Sequence, residues 1–195
     1  MSKILYFFRN ANYFKKSEDL ESELSRIGID QILEIKKQLP NIFDLVISSP
    51  AKRAIMTAST ISRTNKIEII KSLYCELFAL EQDENCPISP NTKPKDWFNE
   101  DGGTFLLADD NSKKNLREIK LFLDKFPLAK EIVIISHGIT VNMIAFQLAS
   151  TKKIRKWCLN LSLKEAEGIK FIINDKNRVV EYEYLKREFP AGVSP

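Results

Sequence analysis

The sequence predicts an α/β fold: three layers, α/β/α, around a mainly parallel sheet. Two observations predict it. Residues 4–8, "FDLVISS" at 43–49 and "EIVIISHG" at 131–138 are apolar runs with no polar face, as expected of strands covered on two sides. Segments with helical apolar spacing stand between them, and strand–helix–strand alternation favours parallel pairing.

In chain order, residues 4–8 form the first strand, and 15–23 are charged surface. A helix is expected over about 30–39, where Ile32, Ile35 and Leu39 share a face, with Pro40 and Asn41 stopping it. Residues 43–49 are the second strand. "SPAKRAIMTASTISR" follows as a helix: Ser49 is expected to cap it, Pro50 to occupy its first turn, and Ala54, Ala58 and Ile61 to line one face. "KIEIIKSLY", 66–74, is a third short strand. Residues 83–103, with three prolines and two adjacent glycines, read as a long irregular excursion in which Trp97 can cover a ligand or pack locally. Asn111 or Ser112 is expected to cap a helix carrying Leu116, Ile119, Leu123 and Phe126 on one face. Residues 131–138 are the strongest buried strand, and "ITVNMIAFQLAS" is an apolar helix. "GIKFIINDKNRVVEYEYL" reads as two strands joined at Asp175-Lys176-Asn177, and "FPAGVSP" as a loose tail.

The 195 residues suit a single domain, 1–195, with a sizeable core. Hydrophobic residues make up 44% and charged residues 29%, an ordinary globular composition. The net charge of +4 is scattered, with no basic stripe, which argues against nucleic acid. Cys75, Cys86 and Cys158 lack metal-ligand spacing, and one histidine does not make a Cys/His zinc site. No metal and no cofactor are expected, and reduced thiols fit a cytoplasmic protein. No run approaches the ~18 apolar residues of a membrane span. Oligomeric state is not legible.

Ligands of open parallel α/β sheets bind outside the carboxyl ends of the strands. Arg9 and Asn10 stand at one such end, Ser136-His137-Gly138 at another, and Arg53 in the first turns of the helix after the second strand. Two guanidiniums and an imidazole converging there make a phosphate pocket, since the planar guanidinium fork grips two oxygens and stays charged. Other phosphate-handling signatures are missing. Six residues after the cysteines stand Glu81, Thr92 and Lys164, so there is no Cys-x5-Arg. There is no Walker loop, nucleophile elbow or dinucleotide fingerprint either.

"FFRNA", "SSPAKRAIMTA", "LYCEL" and "IISHG", in that order, resemble the histidine phosphatase superfamily, also called phosphoglycerate mutase-like. "LSRIGIDQ" at 24–31 is similar to a further segment of that family, and the resemblance runs from residue 3 to about 150. It implies phosphoryl transfer through a phosphohistidine, with arginines and a second histidine stabilising charge on the equatorial oxygens. By position it implies Arg9 and Arg53 as phosphate clamps and His137 as the second histidine. Glu76 matches the acid that protonates the leaving oxygen, with Glu81 as a fallback.

The nucleophile's position is Asn10. A carboxamide nitrogen delocalises its lone pair into the carbonyl and has no basic nitrogen to offer phosphorus; imidazole, with pKa ~6.5, has one. Ala11 stands where the family has glycine and Asn12 where it often has glutamate. Removing a nucleophile costs on the order of 10⁴–10⁶ in rate in an unrelated hydrolase. The expectation is a pocket that binds a phosphorylated small molecule or phosphoprotein, with phosphohistidine hydrolysis lost or badly impaired. Two alternatives are an active phosphohydrolase, using water helped by Glu76 or His137 as nucleophile, and an interaction scaffold that binds no ligand.

Overall fold

In the computed structural model, residues 2–64, 66–74 and 103–188 are described. A six-stranded sheet contains β1 (Lys3–Arg9), β4 (Leu45–Ser48), β5 (Glu68–Ile69), β6 (Glu131–Ser136), β7 (Gly168–Ile173) and β8 (Val179–Leu185) in the order β5-β4-β6-β1-β7-β8. The first four of that order are mutually parallel. β7 runs antiparallel to both β1 and β8. β2 (Tyr13–Phe14) and β3 (Glu23–Leu24) form a separate small ribbon. The helices are α1 (Arg26–Ile35), α2 (Lys52–Ser62), α3 (Gly103–Lys125), α4 (Gly138–Leu148) and α5 (Lys152–Asn160).

The apolar strands have no polar face because both of their faces are covered. Successive strand residues point to opposite sides. Leu5, Phe7, Ile47, Ile132 and Ile134 pack with Ile119 and Leu123 of α3, Val141, Ile144 and Ala145 of α4, and Ile154 and Cys158 of α5. Tyr6, Phe8, Val46, Val133 and Ile135 pack with Ile32 and Ile35 of α1 and Ala54, Ala58 and Ile61 of α2. The expected three-layer architecture is therefore present. Among the described residues no helix is long and apolar enough to cross a membrane.

Several boundaries differ from expectation. The first helix begins at Arg26, because the Ser25 hydroxyl accepts from Gly28 N–H as a cap; it ends at Ile35 and tightens into a 3₁₀ turn over Lys36–Gln38. The strand expected over 66–74 is only two residues long. After it the chain turns over Lys71–Leu73, which buries both Ile70 and Leu73. Asn111 and Ser112 lie inside α3 rather than capping it: Ser112 donates to the Asp109 carbonyl, and Asn115 Nδ2 to Asn111 Oδ1, so these polar groups bond within the helix. α5 was not anticipated. Its buried face consists of Ile154 and Cys158 alone, too thin a signal for a periodicity argument; Thr151 caps it. The hairpin turn falls where expected, with Asn177 in the left-handed region at φ 54°. The tail from 189 lies outside the described residues.

Candidate phosphoryl site

Three parallel strands end side by side. Arg9 is level with Ser136, and Ser48 with Ile135. The register continues one step past the sheet: Asn10 N–H donates to the Ser136 carbonyl at 2.8 Å and Ser49 N–H to the Ile135 carbonyl at 3.0 Å. Ser49, His137 and Asn10 therefore leave the carboxyl end of β4, β6 and β1 as neighbours.

Two helices start at the same place. His137 is the N-cap of α4, and Ala51, not Ser49, is the N-cap of α2; neither helix start has a side-chain cap. Pro50 precedes the helix instead of opening it. The expected Ser49 cap is corrected for a clear reason: its hydroxyl lies 3.2 Å from His137 Nε2. Helix starts of this kind offer N–H groups and a positive dipole end to an anion.

The charged side chains are folded inward. Arg53 is only 1% exposed, Asn10 and His137 4%, and Arg9 7%. Arg53 reaches His137, with a terminal nitrogen 3.4 Å from Nδ1, and its guanidinium lies 4.4 Å from the centre of the Tyr13 ring. Tyr74 meets the imidazole edge-on, with centroids 5.4 Å apart. Arg9 crosses the start of α4 and donates to the Leu163 carbonyl at 2.9 Å. Its passage explains Gly138: a Cβ there would stand 3.3 Å from Arg9 Cδ and 3.4 Å from a terminal nitrogen. Burial holds the His137 pKa well below the usual imidazole value, and the charges of Arg53 and then Arg9 push the same way. That shift favours the neutral form of the ring. The group can attract an anion through two guanidiniums and two helix starts.

The Asn10 carboxamide donates to the Ala11 carbonyl at 3.0 Å. The next residues are tied down by the other motifs. Ala11 N–H donates to Thr57 Oγ1, which itself donates to the Arg53 carbonyl, so the "KRAIMTA" helix braces the loop after β1. Asn12 N–H donates to Gln31 Oε1 at 2.9 Å, and Ser25 donates to Asn12 Oδ1. Gly28 lies against the Asn12 carbonyl oxygen, where a Cβ would come within 2.1 Å. The serine, glycine and glutamine of "LSRIGIDQ" thus seat this loop. Asn12 Nδ2 donates to both oxygens of Glu165, which also accepts from Gln31.

Of the anticipated residues, Arg9, Asn10, Arg53 and His137 are gathered at one end of the sheet. Glu76, Glu81, Trp97 and residues 83–102 of the excursion lie outside the described residues. Sequence reasoning did not put Tyr13, Tyr74, Ser49 or Glu165 in the site. Ser49 was visible in its motif but read as a cap. Tyr13 and Glu165 carry no local signal.

A family model described as the histidine phosphatase superfamily, branch 1, matches residues 9–73. No curated protein matches at a significant level. Solved structures match over nearly the whole chain. A mycobacterial glucosyl-3-phosphoglycerate phosphatase superposes with a TM-score of 0.64 at 13% identity, covering 94% of this chain and 97% of its own. For a putative alpha-ribazole-5'-P phosphatase from Escherichia coli the values are 0.61 and 19%, over 98% and 99%. Phosphoserine phosphatase from Entamoeba histolytica, in complex with 3-phosphoglyceric acid, gives 0.56 and 20%, over 92% and 96%. At these identities the likeness is one of fold.

Proposed function

We propose that this chain is a branch 1 histidine phosphatase-superfamily protein that binds a phosphoryl group, and that phosphohistidine hydrolysis is lost or strongly impaired in it. Support comes from the family match over 9–73, which spans Arg9, Asn10 and Arg53, and from the shared fold. The observation that carries the reading is the gathering of buried Arg9, Arg53 and His137 at one end of the sheet. One fold neighbour is in complex with 3-phosphoglyceric acid, which supports a small phosphomonoester as one class of ligand.

Arg9 and Arg53 supply the charge, and the helix starts supply N–H donors for the remaining oxygens. Asn10 occupies the attacking position and has no basic nitrogen. One of its carboxamide hydrogens goes to the Ala11 carbonyl. The pocket thus holds a phosphoryl group without a side chain at position 10 to accept it.

An assay with a generic aryl phosphate, wild type beside Asn10→His, tests this. Wild type should turn over little or not at all, and the variant should gain roughly 10²-fold or more, part of what a missing nucleophile costs. Robust wild-type turnover refutes the reading.

A further inference from the structure

We propose that Ser49 is a positioning residue for His137: its hydroxyl accepts the Nε2–H hydrogen and so fixes one neutral tautomer, in which neither ring nitrogen can act as a nucleophile and the Ser49 hydroxyl hydrogen is the one that turns toward a phosphoryl oxygen. This rests on the phosphoryl-binding reading above. A guanidinium has donors only and keeps its protons, so the ring nitrogen facing Arg53 at 3.4 Å presents its lone pair. That nitrogen is Nδ1. A neutral imidazole then carries its hydrogen on Nε2, and the atom 3.2 Å from Nε2 is Ser49 Oγ. The opposite tautomer would turn an N–H toward the guanidinium, which cannot accept it. Imidazolium is opposed by burial and by both arginines.

Ser49 suits the task because its backbone is anchored on both sides. It is fully buried, its own N–H is held by Ile135, and its carbonyl accepts from Ser48. Its hydroxyl hydrogen rotates freely about the C–O bond and can itself turn toward an anion. With Nε2 protonated and the Nδ1 lone pair facing Arg53, neither ring nitrogen is available to attack phosphorus. The geometry therefore disfavours His137 as a replacement nucleophile.

The chain has one histidine, so a long-range proton–nitrogen NMR spectrum of histidine-labelled protein reads this ring alone. At pH 7 the wild type should show a pyrrole-like Nε2, a pyridine-like Nδ1 and a slowly exchanging Nε2–H proton. In Ser49→Ala that proton signal should be lost to water exchange, and affinity for inorganic phosphate should fall about three- to tenfold, the worth of one hydrogen bond. Ser49→Thr keeps the hydroxyl and should restore both. A wild-type Nδ1–H tautomer or imidazolium overturns the proposal, whether or not the alanine variant folds. So does a folded Ser49→Ala with unchanged Nε2–H signal and phosphate affinity. A wild type with the expected tautomer but no phosphate affinity sinks the binding reading and leaves the tautomer assignment standing.

Discussion

The two ends of the same strands handle charge in opposite ways. At the amino end of the parallel sheet, Lys3 donates to the carbonyls of Pro127 and Ala129 at 2.8 and 2.6 Å, and exposed Asp44 accepts from the N–H groups of Lys130 and Glu131. Those two backbone bonds hold the Asp44 carboxyl below its usual range. One cation and one anion sit near water, each satisfied by backbone. At the carboxyl end, two guanidiniums and an imidazole are gathered and all three are buried, the shift of the ring favouring its neutral form. The amino end is a solution any sheet can adopt. The carboxyl end gathers two buried guanidiniums and an imidazole beside two helix starts, which is why it is the candidate site and the other end is not.

Removing the charge at the carboxyl end should have the largest effect. Arg53→Met is expected to weaken inorganic phosphate binding roughly 100-fold, the value of a strong charge-assisted bond, by titration calorimetry. If affinity is unchanged, the two ends do not differ in the way described.

The next effect is on stability against pH. The folded His137 pKa is depressed, so below about pH 6.5 the unfolded chain binds a proton that the folded chain refuses. The stability associated with the neutral ring is fully present above that pH and is lost as pH falls toward the folded pKa. The slope approaches ~1.4 kcal/mol per pH unit. Urea unfolding between pH 7.5 and 5.5 should show it, and His137→Gln should flatten it. An equal slope in that variant would assign the titration elsewhere.

At the amino end the expected change is smallest. Asp44→Asn should cost less than ~1 kcal/mol in urea unfolding, since the group is exposed, and should leave phosphate affinity alone. A loss of phosphate binding there would erase the contrast between the ends.

Much of this architecture was legible along the chain. The buried strands announced themselves because apolar runs without a polar face leave few alternatives. The motif residues marked Arg9, Arg53 and His137 because guanidiniums and an imidazole directly after such strands are conspicuous. The short helix α5 was missed because two buried residues one turn apart make no period. The 66–74 segment was overread because β-branched residues occur both in strands and in turns that bury Ile70.

Local pattern settled which segments are strands and helices, which faces they bury, and that the position after Arg9 is an asparagine. Those properties depend on neighbours a few residues away. Only the assembled sheet decided that Ser49 meets His137 across 88 positions of chain, that Tyr13 lies on Arg53, and that Glu165 receives Asn12 from 153 positions away. Such meetings follow from the order and register of strands, and a side chain carries no local mark of which distant strand will end beside its own.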